Sequence, residues 1–115
     1  MGILTGLKIV EFEGLGPGPF CGMLFADLGA DVTLIARSAA APSGPGAVFN
    51  RGKRSIVLNL KDHKHIDAAI KIAANADATI EGLRPGVMER FGLGPDTLMA
   101  ANPKLVYGRL TGWGQ

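Results

Sequence analysis

Two clusters in this chain combine residue types and spacing that could do chemistry, and both are basic. Glu81-Gly82-Leu83-Arg84-Pro85-Gly86-Val87 sets an acid, an arginine and a rigid Pro-Gly turn directly after an apolar run. Asn50-Arg51-Gly52-Lys53-Arg54 packs three cations into one turn, one strand and one helix earlier. Cations at turns suit phosphate, because an arginine fork makes bidentate, charge-assisted bonds to it. Two such turns at successive strand ends predict a site for a phosphate-rich ligand, and neither lies in a nucleic-acid-binding pattern. Other chemistry is thin. His63 and His65 are two apart in a polar segment with no third ligand near, which argues against a metal. Cys21 opens an apolar stretch and reads as a buried, inert thiol. Glu11, Glu13 and Asp27 could act as acid or base, but nothing separates them from structural carboxylates. Ser55 lacks a Gly-x-Ser-x-Gly context. The residues thus describe a cofactor cradle without catalytic machinery.

Those turns need a scaffold. With 115 residues, 47% apolar and 19% charged, the chain suits one domain with a real core. A net charge of +2 is too small for a general polyanion binder. A single cysteine excludes an internal disulfide, which fits a reducing, cytoplasmic setting. The first residues show no secretory signal, and no run approaches the roughly 18 apolar residues of a membrane span. The last residues, Thr111-Gly112-Trp113-Gly114-Gln115, follow an apolar strand directly, so the chain is expected to be the N-terminal piece of something longer.

The elements alternate. Leu7 to Phe12 is predicted as a buried strand and Gly14 to Pro19 as a glycine-proline turn. Phe20 to Leu28 follows as a helix with Phe20, Met23, Leu24 and Leu28 on its apolar face, stopped by Gly29. Asp31 to Ala36 is the second strand, completing a βαβ unit. Ser38 to Ala47 reads as a loop and Ser55 to Leu60 as the third strand. A helix then runs from Asp62 to about Ala76, with Ile66, Ala69, Ile70 and Ala73 as its buried stripe. Ala78 to Glu81 is a short fourth strand. Val87 to Phe91 is a helical turn, Pro95 to Ala101 another short helix, and Lys104 to Leu110 the fifth strand. Strand–helix alternation predicts an α/β fold, Rossmann-like, with a mostly parallel sheet and flanking helices.

The first turn matches a dinucleotide fingerprint only in part: Gly14 and Gly16 fit, but Pro19 takes the third glycine's place. The second strand ends Ile35-Ala36-Arg37, a cation where NAD-binding folds carry a ribose-binding acid. That favours an adenosine bearing a phosphate, as in NADP or coenzyme A, and the failed fingerprint counts against NADP.

Linked motifs then narrow the choice. Gly16-Pro17-Gly18-Pro19-Phe20, Ala26-Asp27-Leu28-Gly29-Ala30-Asp31-Val32 and Asn50-Arg51-Gly52-Lys53-Arg54-Ser55 resemble the family III CoA-transferases (CaiB/BaiF). So do Leu60-Lys61, Arg84-Pro85-Gly86-Val87, Asn102-Pro103-Lys104-Leu105-Val106-Tyr107 and Gly112-Trp113-Gly114-Gln115, in order from about Leu7 onward. The finer resemblance is to the family's racemase branch. It rests on Gly16 to Cys21, on Pro85 to Arg90 with Leu93-Gly94-Pro95, and on Tyr107 to Gly112.

The resemblance implies an acyl-CoA substrate and no separate cofactor, coenzyme A arriving as the thioester. It implies an interlocked homodimer for the whole protein, of which these residues form the N-terminal part of the large domain. By position, Arg37 would meet the adenosine phosphate end. Leu58, Leu60 and Lys61 would line the adenine and phosphate region. Gly82, Leu83, Arg84 and Arg90 would follow the pyrophosphate and pantetheine. Ala36 stands where relatives carry an acid, Ser38 replaces a proline, Asn59 an aspartate, and Leu83 an aromatic. The branch's catalytic histidine and acids, which remove the α-proton and return it through an enolate, would lie past Gln115, so no catalytic residue is expected here. A transferase moving CoA between carboxylic acids through an aspartate, or a non-catalytic CoA-binding fragment, are the rival readings.

Overall fold

Runs of β-branched and apolar residues make five short strands in the computed structural model, which describes residues 2–39 and 45–114. They are β1 (Lys8–Phe12), β2 (Asp31–Ala36), β3 (Arg54–Val57), β4 (Ala78–Glu81) and β5 (Val106–Arg109). All pair in parallel in the order β3-β2-β1-β4-β5. The chain therefore winds outward one way through β3, returns, and winds the other way. The order reverses between β1 and β4, and ligands of open α/β sheets bind at the carboxyl ends of the strands beside such a switch. The fold is α/β, as the alternation of elements predicts.

Helices cover both faces. α1 (Pro17–Asp27) lies on one; α3 (His63–Ala74) and α5 (Pro95–Ala101) pack together on the other, after the single turns α2 (Pro45–Phe49) and α4 (Val87–Arg90). Alternation along β1 assigns its side chains: Val10 and Phe12 join the cluster under α3 and α5, while Ile9 joins the smaller cluster under α1. Ala69 and Ala73 are fully buried, and Asn102 on the far side donates hydrogen bonds to the Ala73 and Ala76 carbonyls. Small residues thus let α3 sit close, and an amide holds its end. Asp62 caps that helix by accepting from the Lys64 amide.

Several boundaries differ from expectation. α1 begins at Pro17, three residues before Phe20. Gly16 precedes it at φ 75°, ψ −121°, a conformation open to glycine, and Pro17 is preorganised for a first turn. Its buried side is Gly18, Gly22 and Met23, whereas Phe20, Leu24 and Leu28 are 40–46% exposed. The glycines let the helix backbone approach the sheet, and this close approach overrides the bulkier stripe. The predicted loop through Ala47 contains the start of α2, and its residues 40–44 lie outside those described. β3 ends at Val57, so Leu58 and Leu60 leave the ladder, and β5 is confined to Val106–Arg109.

Candidate functional site

The carboxyl ends of β1, β2 and β4, with the segment after β3, enclose a cavity of about 300 Å³. Phe12 and Ile35 form its floor. Leu58 and Leu60 come from the segment leaving β3, Leu83 from the turn after β4, and Val87 and Phe91 from α4 and its end. Glu13, Arg37, Asn59 and Lys61 supply the polar groups. An apolar slot edged by cations can hold a flat heteroaromatic ring and hydrogen-bond a phosphate beside it. Five of the sequence-derived site residues, Arg37, Leu58, Leu60, Lys61 and Leu83, meet here. Arg84 and Arg90 are exposed on the turn and on α4, outside the cavity wall. Gly82 packs near Gly18, where an added Cβ would sit 3.9 Å from the Gly82 amide nitrogen. Among the described residues, Arg37, Lys61 and Arg84 form no ion pair, and Arg90 feels only the neighbouring Glu89 carboxylate, without a direct contact.

The turn that carries Leu83 is held from below. Glu81, 1% exposed, accepts from the Leu83 amide at 3.0 Å and from Arg109 Nε at 2.9 Å. The two terminal nitrogens of Arg109 donate to Glu89 at 3.0 and 2.7 Å. One guanidinium therefore joins β4, β5 and α4. These bonds pull the Glu89 carboxyl below the usual range and push the Arg109 guanidinium higher still. Arg109 also lies over the Tyr107 ring, whose hydroxyl donates to the Leu93 carbonyl and is pushed up chiefly by burial. Gly86, at φ 86°, makes the sharp entry into α4.

The second basic cluster is elsewhere. Residues 50–54 lead into β3 alongside α1, and none of them lines the cavity. Each cation there has a carboxylate. Arg51 binds Asp27 at 2.6 Å, Arg54 binds Asp31, and Lys53 lies 2.7 Å from Glu11. The expectation that both basic turns serve one ligand is thus overturned: local acids already neutralise the earlier one.

The Glu11–Lys53 pair is the feature that sequence reasoning missed. Both side chains are 1% exposed beneath α1. Lys53 Nζ also donates to the Pro19 carbonyl at 3.1 Å and to Asn50 Oδ1 at 3.4 Å. Neither Glu11 oxygen gains a hydrogen bond of good geometry, although Lys53 Nζ approaches Oε1 closely. Desolvation pushes the Glu11 carboxyl up, against the pull of Lys53. A Cβ on Gly22 would overlap Glu11 Oε1, so the glycine is what admits the carboxylate. Burial, with Glu11 nearby, also raises the Cys21 thiol, which leaves it a poor nucleophile. Two signals pointed here: an acid inside an otherwise apolar strand must find a partner, and a glycine inside a helix must have a packing reason.

Among the described residues no group of three or more His, Cys, Asp or Glu could hold a metal ion, and no helix is long and apolar enough to cross a membrane.

A doubly wound parallel sheet with an apolar, cation-edged cavity at its switch end is the arrangement in which open α/β folds take nucleotide-type ligands. Residues 4–115 match the model of CoA-transferase family III, and the chain belongs to that family. It is 45% identical over 113 residues to α-methylacyl-CoA racemase of Mus musculus, covering 98% of this chain and 29% of that protein. It is 35% identical over 130 residues to succinyl-CoA:mesaconate CoA-transferase of Haloarcula marismortui, covering 99% and 33%. The solved structure of a hypothetical protein from Mycobacterium tuberculosis superposes with a TM-score of 0.90 at 36% identity, covering 99% of this chain and 34% of that one. The chain spans about three-tenths of the length of the curated relatives it matches. Racemases and transferases both stand among them.

Proposed function

We propose that this chain is the coenzyme A cradle of an acyl-CoA enzyme. The cavity at the switch end of the sheet carries this reading. The adenine lies against Leu58, Leu60 and Leu83, while Arg37 and Lys61 take the 3′-phosphate. Gly82, Arg84 and Arg90 follow the pyrophosphate and pantetheine outward along the β4 turn. Coenzyme A is part of the substrate, so no other cofactor is required. Calorimetry of the chain with coenzyme A and with dephospho-coenzyme A tests the assignment. Coenzyme A should bind about a hundredfold tighter, the worth of two charge-assisted contacts, and Arg37→Ala should cut that preference to about tenfold. Equal affinities for the two nucleotides would remove Arg37 and Lys61 from the phosphate site.

For a longer polypeptide containing this chain, the reading is racemisation of 2-methylacyl-CoA thioesters, supported by identity to the mouse racemase. Groups outside this chain remove the α-proton and return it to either face of an enolate. Such a protein is cytoplasmic and works as an interlocked homodimer, with residues 1–115 as the N-terminal part of its large domain. The haloarchaeal relative supports a second reading, transfer of CoA between carboxylic acids. Incubation of the longer polypeptide with a 2-methylacyl-CoA in deuterated water separates the two. Deuterium at the α-carbon without any acceptor acid is racemase chemistry. CoA movement to an added carboxylate without deuterium uptake is transfer.

A further inference from the structure

Dinucleotide-binding folds carry an acid at the end of β2 that accepts hydrogen bonds from the adenosine ribose. This chain has Ala36 there, 8% exposed and without a polar atom, followed by Arg37. The place is nevertheless not without a carboxylate. Phe12 pairs with Ile35, and the Glu13 amide donates to the Ile35 carbonyl at 3.0 Å, so β1 delivers Glu13 beside Ala36. Glu13 Oε2 then accepts from the Arg37 backbone amide at 2.9 Å. Its carboxylate is thereby fixed at the end of β2 though it belongs to β1. Glu13 is half-buried and lines the cavity together with Arg37 and Lys61. Among the described residues, its Oε1 has no hydrogen-bond partner.

We propose that Glu13 is a specificity-determining residue that accepts a hydrogen bond from the free ribose hydroxyl of the bound adenosine. The inference rests on the coenzyme A reading of the cavity. An isolated carboxylate in an anion site would repel its ligand. Here a guanidinium and an ammonium line the same cavity, and an acid beside them fits a ribose carrying one phosphate and one hydroxyl. In coenzyme A the 3′ position is phosphorylated and the 2′-hydroxyl is the available donor. The Arg37 amide occupies Oε2, which leaves Oε1 as the acceptor.

The test is calorimetry of the full chain with coenzyme A and 2′-deoxy-coenzyme A, for wild type, Glu13→Ala and Glu13→Gln. Wild type should bind coenzyme A about tenfold tighter than the 2′-deoxy analogue. Glu13→Ala should lose about tenfold toward coenzyme A and stay within about twofold toward the analogue. Glu13→Gln keeps an acceptor for the Arg37 amide without the charge and should shrink the preference to about threefold. A purely structural Glu13 would weaken both nucleotides equally, and that result overturns the inference, as does a gain in coenzyme A affinity on losing the acid. If Glu13→Ala fails to fold by circular dichroism, the wild-type comparison and Glu13→Gln still decide. Absence of coenzyme A binding by the folded wild type would sink the cradle reading as well, whereas binding that ignores the 2′-hydroxyl sinks only the role of Glu13.

Discussion

The segment entering β3 and the rim of the cavity hold similar cations in opposite states. In the segment that leads into β3, Arg51, Lys53 and Arg54 each have a carboxylate. Toward the carboxyl ends, Arg37, Lys61 and Arg84 have none among the described residues. Residue type is alike in both places. The difference lies in which acids the fold brings near: Asp27 from the last turn of α1, Asp31 from the start of β2 and Glu11 from near the carboxyl end of β1. A cation that already has its counter-charge holds the fold together, and one that lacks it is available to a ligand.

The sharpest way to break this contrast is Lys53→Met. It leaves Glu11 buried without a counter-charge, and urea denaturation should show a loss of about 3–5 kcal/mol. The loss should grow with pH. Desolvation alone then raises the folded-state Glu11 pKa above its unfolded value. The stability is therefore complete below the ordinary carboxylate range and falls as pH rises through the raised value. A Lys53→Met variant equally stable at acid and neutral pH would contradict this. Glu11→Gln combined with Lys53→Met should recover most of the loss, because removing both charges removes both desolvation costs.

Gly22→Ala comes next. The methyl would push into a carboxylate that burial and Lys53 prevent from moving aside, so a cost of about 1–3 kcal/mol is expected by the same assay. Wild-type stability in this variant would mean that the helix shifts freely over the sheet.

At the cavity the effects should reverse in kind. Arg37→Ala should leave the denaturation midpoint nearly unchanged while reducing coenzyme A affinity about tenfold, because its side chain is exposed and has no acid to lose. A clear fall in stability would place Arg37 with the structural cations.

Arg51→Ala should do least. Its pair with Asp27 is exposed, and pairs of this kind are weak and screened by salt. The readable consequence is in acid. Arg51 holds the Asp27 carboxyl below its usual value, so that contribution is present above the ordinary carboxylate pKa and fades as pH falls through the lowered one. The variant should flatten that part of the stability profile at low salt and differ little from wild type at high salt.

Much of the scaffold was legible because the signals were local. Ala78–Glu81 and Pro95–Ala101 begin and end where β-branched residues, proline and glycine place them. The cavity was partly legible for the same reason: Arg37 and Leu83 close strands, and the ends of parallel strands are where ligands bind. What escaped depended on distant pairing. Nothing near Lys53 in sequence announces Glu11, which is 42 positions away, the difference of the two residue numbers. Glu13 looked like any turn acid until the register of β1 against β2 set it beside Ala36. The outward stripe of α1 misled because two glycines, which carry no hydrophobic signal, decide which side faces the sheet.

Trp113 bears on how all of this would be watched. It is the sole tryptophan in the sequence and is fully exposed beyond β5. Its indole is as wet in the folded chain as in the unfolded one, so the colour of its emission should scarcely change as the core melts. Tyr107, the sole tyrosine, lies half-buried with its hydroxyl on the Leu93 carbonyl. The optical signal of folding therefore resides in the weaker chromophore, and in near-ultraviolet light this protein should look more disordered than its sheet is.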